Sequence, residues 1–366
     1  MRNKNAMKKL MFVIPYLSGG GAERVTAVLA DRICRMEGYE VHMTVYTRDP
    51  GGDYPVDERV IWHTMGSHHA GLPGKLRFFR EIIGRVQPDC VISLGGAGVI
   101  ALLAVSMAGK KIPLILSERN DPASDPKQPL LRLLRVMAYG CCDGVVFQTR
   151  RARDYFSPMI RRKGRVIPNP LTGTLPPRFT GEREKRIVTC CRLNSQKNLD
   201  LMIDAFSDIA PRFPEYTLHI YGEGEERSRL EEKILSMGLE NRVFLPGYSS
   251  RIYDEIWRAA LYVSSSDYEG ISNSMLEAIA LGIPTVCTDC PAGGAGETIR
   301  HGVNGLLVPV RDREKLAHAM ETVLKDTELA RTLGEEGEKL RHTIHAEAVA
   351  RQWLTFAEEV EKRYGY

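Results

Sequence analysis

The chain has 366 residues, of which 43% are hydrophobic and 26% are charged, and its formal net charge is +4. This length is sufficient for two domains of ordinary size, and the composition is that of a globular protein. The sequence contains no short-period repeats or low-complexity tracts.

The charges are divided unevenly along the chain. Residues 1–170 contain 26 Lys and Arg against 15 Asp and Glu, a balance of +11, whereas the remainder contains 24 against 31, a balance of −7. A basic half can attract phosphates, anionic lipid head groups or nucleic acid. A chance asymmetry between solvated faces explains the same numbers.

The first half alternates apolar, β-branched runs with helical patterns, which predicts a parallel sheet with helices on both faces. Residues 1–20 have a basic start and a short apolar stretch, which we interpret as a first strand rather than a secretory signal peptide. Residues 90–109 carry no charge and are long enough to mimic a membrane span, but a buried strand, a glycine turn and a helix explain them equally well. The strand candidates are "LMFVIPY", "VHMTVYT", "VIWHTM", "CVISL", "PLILSE", "GVVFQT" and "RVIPN".

Residues 168–185 interrupt this alternation with four prolines and two glycines, a composition that fits an interdomain connection. The alternation then resumes. We expect an N-terminal Rossmann-like domain over residues 1–170, a linker over 171–185 and a second Rossmann-like domain over 186–345, with the two doubly wound domains facing each other across a cleft. Residues 346–366 are amphipathic, which predicts a helix. We expect this helix to return to the N-terminal domain. The later strand candidates are "RIVTCCRL", "YTLHIYG", "VFLPG", "LYVSSS", "PTVCTD" and "GLLVP".

Three glycines, Gly19 to Gly21, separate the first predicted strand from a helix. Glycines allow a ligand to approach the backbone closely, and the helix N-terminus beyond them offers unpaired N–H groups and a positive dipole end. This arrangement suits a phosphate. The alternative is a flexible strand-to-helix turn without a ligand.

The segment "SDYEGISNSMLEAIALGIP", residues 266–284, has the same arrangement of a turn followed by a helix N-terminus in the second half of the chain. Glu269 and Gly270 form the turn after a strand, and Ser272 or Asn273 is placed to cap the following helix. Glu277 lies inside that helix, and we expect the two carboxylates to hold different parts of one extended ligand. The alternative is that Glu277 is an ordinary solvated helix residue.

Other strands of the second half are followed by cations or glycines. Arg192 and Lys197 lie between a strand and a helix, where two cations can neutralise a leaving diphosphate, although a solvated loop is the default reading of such a pair. Gly222 opens another helix, and Gly247 and Tyr248 follow a further strand. All of these positions line the strand ends where open α/β sheets bind their ligands.

The eight cysteines predict no metal site. Cys287 and Cys290 form a lone C-x-x-C without a second pair, and most of the cysteines lie in apolar runs, as expected for buried, reduced thiols in a cytosolic protein. The sequence also contains no D-x-D, G-x-S-x-G or G-x-x-x-x-G-K-[ST] motif.

These motifs resemble those of the retaining GT-B glycosyltransferases of family four (glycosyl transferases group 1). "CCRLNSQKN" is similar to the family's GRL…K loop and "EGISNSMLE" to its E-x₇-E element, while "SGGGAE", "VIPNP", "IYGEGEE" and "GVNGLLV" also fit, in the expected order. "GGGAERV", "SERNDP" and "CPAGGAGETI" look most like bacterial enzymes that build surface glycans or lipid-linked oligosaccharides, N-acetylgalactosamine transferases among them.

The resemblance implies a nucleotide-sugar donor, most commonly carried by uridine diphosphate, and no metal or other cofactor. It implies that Arg192 and Lys197 bind and stabilise the leaving diphosphate, that Glu277 binds the ribose hydroxyls, and that Glu269 holds the transferred sugar. Arg192, Lys197 and Glu269 are thus the catalytic candidates. The implied donor-binding set also contains Gly20, Gly21, Gly222, Tyr248, Gly270, Ile271, Ser272 and Asn273.

The sequence departs from the family pattern at two places. Cys191 stands where the family has a glycine before Arg192, which puts the packing of that loop in question. Many members have a histidine in the first domain near the reacting sugar, whereas this chain has Glu118, Arg119 and Asn120 at the corresponding strand end. We hypothesise that Glu118 and Arg119 face the acceptor or the donor sugar.

The resemblance therefore implies a retaining α-glycosyltransferase that transfers a hexose or N-acetylhexosamine to a glycan or polyprenyl-diphosphate-linked acceptor. We expect a cytoplasmic protein that contacts the anionic inner face of a bacterial membrane through basic residues, densest at 149–165, and that has no nucleic-acid partner. The alternatives are a sugar or sugar-phosphate synthase with a soluble acceptor and a non-catalytic binding protein of the same fold.

Overall fold

A computed structural model describes residues 7–66, 71–109, 111–173 and 175–363. The chain divides into two compact units. The first unit runs to Thr172 and includes the segment from Ile344 onward, and the second is Gly173–Thr343. The predicted linker at 171–185 spans the boundary at Thr172, and the predicted helix at 346–366 is described as far as residue 363.

The first unit contains a parallel sheet in the order β3-β2-β1-β4-β5-β6-β7. Its central strands are apolar and fully buried, as expected for a parallel sheet covered on both faces. The strands are β1 Lys8–Val13, β2 Tyr39–Val45, β3 Ile61–Thr64, β4 Cys90–Leu94, β5 Leu114–Glu118, β6 Gly144–Phe147 and β7 Gly164–Val166.

Helices connect these strands. The uncharged run at 90–109 forms β4, a turn and a helix of nine residues, and no helix in the described ranges is long and apolar enough to cross a membrane. The helices are α1 Gly21–Ile33, α2 Leu72–Val86, α3 Gly98–Ser106, α4 Pro129–Cys141, α5 Arg150–Asp154 and α6 Pro158–Arg162.

The second unit contains a parallel sheet in the order β10-β9-β8-β11-β12-β13. Its strands are β8 Glu184–Cys190, β9 Thr217–Tyr221, β10 Val243–Gly247, β11 Ala259–Ser264, β12 Thr285–Thr288 and β13 Leu306–Val308. Its helices are α7 Leu199–Ile209, α8 Arg227–Ser236, α9 Ile252–Ile256, α10 Asn273–Ala280, α11 Gly294–Thr298, α12 Arg313–Lys325 and α13 Thr327–Glu338, with 3-10 turns at Ser195–Lys197, Ala210–Arg212 and Lys339–His342.

The last helix, α14, is Ala346–Lys362 and belongs to the first unit. Val349, Trp353, Phe356 and Val360 recur at helical spacing and are fully buried, so one face of α14 is part of the core of the first unit. Its polar side is fixed to β1, because Lys8 forms ion pairs with Glu358 and Glu361.

Both sheets have the strand order of a doubly wound fold, and each predicted strand candidate overlaps an observed strand. The order reverses between β1 and β4 in the first unit and between β8 and β11 in the second. Loops that leave two such strands in opposite directions open a crevice at their carboxyl ends, where ligands of α/β sheets bind. Each sheet therefore has one place where a binding site is expected.

Candidate active site

The crevice of the second sheet lies between the loops that follow β8 and β11. The first loop carries the exposed Arg192 and, in a 3-10 turn, the largely buried Lys197. Asn198 ends this turn with a left-handed backbone, φ 43°, and its Oδ1 accepts a hydrogen bond from the backbone N–H of Leu201 to cap α7. The turn is thereby fixed to the start of a buried helix.

Hydrogen bonds hold the two loops together. The backbone N–H of Asp267 donates to the carbonyl of Gln196 at 3.0 Å, and the Gln196 side chain donates to the carbonyl of Tyr268 at 2.9 Å. The hydroxyl of Ser265 donates to the carbonyl of Lys197 at 2.9 Å. The structure therefore brings Lys197 and the segment that begins at Glu269 to one place.

Lys197 forms an ion pair with Glu269 within this crevice. Burial lowers the pKa of Lys197, but the Glu269 carboxylate and Cys191 raise it by more in total, so that the pKa lies above its ordinary value. The positive charge of Arg192, in the same loop, opposes this rise in the pKa of Lys197. The lysine is therefore protonated at neutral pH. Its ion pair with Glu269 lies in the crevice, and the loop that carries it also carries Arg192.

The segment after Glu269 leads into the N-terminus of α10. Ser272 is the N-cap, because its Oγ accepts a hydrogen bond from the backbone N–H of Met275 at 3.3 Å, and Asn273 is the first residue of the helix. Gly270 is packed closely: a Cβ atom at Gly294 would lie 1.6 Å from the Gly270 carbonyl oxygen. The backbone of Gly270 and Ile271 is thus fixed between β11 and α11.

Glu277 lies in the second turn of α10 and is only 3% exposed, so it is not the ordinary solvated residue that the sequence also allowed. The hydroxyl of Tyr253, in α9, donates to Glu277 Oε1 at 2.9 Å. A buried carboxylate needs such donors because leaving it without them is costly. Glu277 is therefore held in place within the protein.

Gly222 and Gly247 have a packing role at the ends of β9 and β10. A Cβ atom at Gly222, where φ is 130°, would lie 1.9 Å from the carbonyl oxygen of Cys191. The backbone of β9 therefore presses directly on the loop that carries Arg192. Gly247 also has a positive φ, 87°, and Tyr248 after it is among the most exposed large side chains.

In the first unit, Gly20 and Gly21 lie where α1 begins after β1, and the N-cap residue is Gly20, which has no side chain. The Glu23 carboxylate folds back over Gly20, since a Cβ atom at Gly20 would lie 1.9 Å from Glu23 Oε2. An acidic side chain in the first turn is stabilised by the helix dipole. A phosphate can approach Gly20 and Gly21 from this side only if Glu23 moves.

Glu118, at the end of β5, is buried and fully engaged. Its Oε2 lies 3.1 Å from Arg135 Nη1 and 3.4 Å from the hydroxyl of Tyr139, and the backbone N–H of Arg119 donates to its Oε1 at 3.1 Å. Burial raises the pKa of Glu118 to about 7, although Arg135 and the backbone donors lower it. Through these contacts Glu118 connects the loop after β5 to α4.

Arg119 and Asn120 are half-buried beside Glu118. Arg119 Nη2 donates to Oδ1 of Asn169 at 2.6 Å, and Asn169 also accepts a hydrogen bond from Gln148 at 2.7 Å. Burial lowers the pKa of Arg119 to about 10, and the negative charges of Glu118 and Glu23 oppose this. The carboxylate of Glu23, next to the glycines that precede α1, therefore affects the pKa of Arg119.

Sequence reasoning missed the residues that support the candidates. Tyr253 and Arg135 lie in helices whose pattern gives no functional signal, and their contacts join residues distant in sequence. The sequence did contain a signal for Glu23. The segment "GGGAE" places an acid in the first turn of the helix, where it competes with any anionic ligand. All eight cysteines are free, and Cys34, Cys90, Cys142, Cys287 and Cys290 are buried. The described residues contain no group of three or more His, Cys, Asp and Glu placed to hold a metal ion.

Solved structures with the same architecture identify the fold as GT-B. HepE of Anabaena, in complex with UDP and glucose, superimposes with a TM-score of 0.81 over 96% of this chain and 100% of its own, at 18% identity. Sucrose-phosphate synthase from Thermosynechococcus elongatus gives a TM-score of 0.80 over 96% and 99% of the two chains, at 19% identity.

Both units also match known domain families. Residues 19–172 match Glycosyltransferase Family 4, and residues 177–340 match Glycosyl transferases group 1. The chain is thus composed of these two glycosyltransferase domains in the GT-B fold. The resemblance seen in the sequence is confirmed at this level.

Relatives include proteins of similar length and much longer ones. The chain is 24% identical to the Campylobacter jejuni GalNAc-alpha-(1->4)-GalNAc-alpha-(1->3)-diNAcBac-PP-undecaprenol alpha-1,4-N-acetyl-D-galactosaminyltransferase over 97% of this chain and 99% of that protein. It is 25% identical to the amylovoran biosynthesis glycosyltransferase AmsD of Erwinia amylovora over 95% and 99%. It is 36% identical to an exopolysaccharide phosphotransferase of Streptomyces coelicolor over 60% of this chain but only 24% of that protein.

Proposed function

We propose that the chain is a retaining glycosyltransferase that transfers a hexose or N-acetylhexosamine from a UDP-sugar to a glycan or lipid-linked saccharide in the assembly of bacterial surface glycans. One observation carries the proposal: Lys197 and Glu269 form an ion pair at the switch point of the second sheet, and Arg192 lies in the same loop as Lys197. The printed names of relatives, which include a UDP complex and an undecaprenol-linked acceptor, support the choice of donor and acceptor.

The proposed reaction breaks the bond between the anomeric carbon and the β-phosphate oxygen and forms a bond from the acceptor oxygen on the same face of the sugar. The acceptor proton passes to the departing phosphate oxygen. Charge develops on the leaving diphosphate, and cations already held in place stabilise it. Arg192 and Lys197 supply these cations, so the proposed step uses side chains in place of a metal ion.

The remaining residues hold the donor. Glu277 accepts hydrogen bonds from the ribose hydroxyls, and the fixed backbone from Gly270 to Asn273 meets the sugar and the diphosphate at the start of α10. Glu269 has two roles in this proposal, because it orients Lys197 and also binds the transferred sugar.

A panel of nucleotide sugars tests the proposal. The donor should raise the melting temperature by mass action, about 2.7 kcal/mol of stabilisation at a hundred times its Kd, and the product sugar should keep the anomeric configuration when examined by NMR. Lys197→Ala should lower kcat by about 10² to 10³. The exposed Lys315 of α12 provides the control, because Lys315→Ala should leave kcat unchanged. Turnover that survives Lys197→Ala, or inversion of the anomeric centre, contradicts the proposal.

A soluble sugar or sugar-phosphate acceptor is the second candidate. It is favoured by 34% identity to the mannosylfructose-phosphate synthase of Agrobacterium fabrum, although over only 49% of this chain. Transfer to a small soluble sugar without detergent, and none to a lipid-linked saccharide, would identify this activity. A melting temperature that rises with UDP, without turnover of any donor and acceptor, would indicate a binding protein.

A further inference from the structure

Helix α4 turns its apolar side to solvent. Leu130, Leu133 and Met137 recur at the i, i+3, i+7 spacing of a single helical face and are 66%, 56% and 56% exposed. A surface helix of a globular protein normally buries such a stripe against the core. Among the helices of the first unit that the structure describes, α4 leaves the largest group of large apolar side chains exposed.

The opposite side of α4 explains this orientation, because it carries the arginines. Arg132 Nε donates to the carbonyl of Pro126 at 2.6 Å, and Arg135 Nη2 donates to the carbonyl of Pro122 at 2.8 Å. Arg135 also pairs with the buried Glu118, and its side chain is only 11% exposed. The guanidinium groups thus bind the loop after β5 and Glu118. Because this side of α4 faces the protein, Leu130 and Leu133 on the other side face the solvent.

The exposed apolar surface continues onto α6. Met159 is 62% exposed and lies against α4, since a Cβ atom at Gly140 would be 3.5 Å from its terminal methyl group. Gly140 lies on the same side of the helix as Leu133 and Met137. We call Leu130, Leu133, Met137 and Met159 the α4 face.

Exposed cations flank the two helices of the α4 face in the chain. Residues 98–163 contain 12 Lys and Arg against 5 Asp and Glu. Three of these cations, Arg119, Arg132 and Arg135, are engaged within the protein, and two of the acids, Glu118 and Asp121, are buried. Exposed Lys127 precedes α4, and exposed Arg161 and Arg162 end α6. Apolar side chains bordered by cations complement a membrane with anionic lipids, where the apolar part enters the interface and the cations contact the head groups.

We propose that the α4 face lies in the interfacial region of a bilayer that contains anionic lipid and anchors the first unit there. This extends the proposed function, because a lipid-linked acceptor is presented at such a surface. It does not depend on the transfer reaction, since membrane binding can be measured without donor or acceptor.

Sedimentation with vesicles tests the proposal on the full chain. We expect the protein to bind vesicles of equal parts phosphatidylglycerol and phosphatidylcholine, and to bind pure phosphatidylcholine at least tenfold more weakly. Leu133→Glu with Met137→Glu should lower binding to the anionic vesicles at least tenfold. Leu235→Glu is the matched control, because Leu235 is 67% exposed on α8 of the second unit and its substitution should leave binding unchanged.

A fluorescence measurement locates the contact. Tryptophan emission of Leu133→Trp should shift to the blue when anionic vesicles are added, and that of Leu235→Trp should not. Two results would overturn the proposal: no binding of the unsubstituted chain to anionic vesicles, or a dimer that Leu133→Glu with Met137→Glu dissociates while vesicle binding is unaffected. Vesicle binding without any donor-dependent thermal shift would refute the proposed function and leave this inference standing.

Discussion

At the scale of single residues, Tyr253 fixes the position of the buried Glu277 carboxylate. If Glu277 binds the ribose, Tyr253→Phe should raise KM for the nucleotide sugar about tenfold, the effect of losing one hydrogen bond to a charged group, with little change in kcat. Steady-state kinetics with the true donor checks this expectation.

Inhibition by two nucleotides shows whether Tyr253 positions Glu277 or only stabilises the fold. The unsubstituted enzyme should prefer UDP over its 2′-deoxyribose analogue as an inhibitor, and Tyr253→Phe should reduce this preference. Tyr216→Phe, a substitution of a partly buried tyrosine elsewhere in the second unit, should leave it intact. An equal loss of affinity for both nucleotides in Tyr253→Phe would show that Glu277 does not contact the ribose.

Glu118 makes the stability of the first unit depend on pH. Burial raises its pKa from an ordinary 4.5 to about 7, so the unfolded chain loses this proton first as the pH rises. The contribution to stability is fully present below pH 4.5 and is lost as the pH rises to 7, by up to about 3 kcal/mol at about 1.4 kcal/mol per pKa unit. Urea denaturation should therefore show the unsubstituted chain losing more stability than Glu118→Gln between pH 5 and pH 8.

The other titrating groups are common to both chains, so the difference between them isolates Glu118. Glu81→Gln is the matched control, because Glu81 is an exposed residue of α2, and its pH profile should follow that of the unsubstituted chain. Parallel profiles for the unsubstituted chain and Glu118→Gln would mean that Glu118 is ionised throughout this range.

At the scale of elements, the crevice is assembled by backbone contacts between neighbouring strand ends. Gly222→Ala should destabilise the second unit by about 2–3 kcal/mol, because its φ of 130° disfavours any side chain and the new Cβ atom would lie 1.9 Å from the Cys191 carbonyl oxygen. It should also weaken UDP binding, because relief of the clash displaces the loop that carries Arg192. Urea denaturation and the UDP thermal shift measure the two effects.

Gly238 offers the comparison for Gly222. It also has a positive φ, 64°, but a Cβ atom there would meet nothing within 4 Å. Gly238→Ala should therefore cost about 1 kcal/mol, from backbone strain alone, and should leave the UDP thermal shift unchanged. Equal costs for the two substitutions would show that the loop after β8 adapts to the extra methyl group.

The order of elements was predictable because its signals are local. Apolar β-branched runs and helical spacing recur along the chain, and the two sheets follow from that alternation. Part of the crevice was predictable for the same reason: Arg192, Lys197 and Glu269 each follow a strand, and the carboxyl ends of parallel strands share one edge. Their positions in the chain and the parallel topology of the sheet were sufficient to predict that these residues lie at the same sheet edge.

Other features depended on packing between distant segments. The hydrogen bond to the buried Glu277 comes from Tyr253, 24 positions earlier in the chain, and the arginines of α4 donate to carbonyl groups at Pro122 and Pro126. Helical spacing shows that α4 is amphipathic but not which side faces the protein. The strand-end hypothesis for Glu118 likewise could not include Arg135, which joins it only in the folded chain.

At the scale of the whole molecule, the chain enters the second unit after Thr172 and returns to the first at Ile344. The last helix therefore stabilises strands formed at the beginning of the chain, because Trp353 and Phe356 are buried in the same unit as β1 and β2. We expect each unit to have its own cooperative core. A destabilising substitution in one core should then increase hydrogen exchange in the strands of that unit and not in those of the other.

Hydrogen–deuterium exchange measured by mass spectrometry tests this expectation with two core substitutions. Trp353→Ala removes a fully buried ring and should destabilise the first unit by about 3–5 kcal/mol, so that peptides from β1 and β2 exchange faster while those from β8 and β9 do not. Phe206→Ala in α7 is its counterpart and should affect β8 and β9 alone. UDP should slow exchange in the second unit of the Trp353→Ala chain, because the proposed donor site lies there. Faster exchange throughout both units from either substitution would show that the chain unfolds as a single cooperative body.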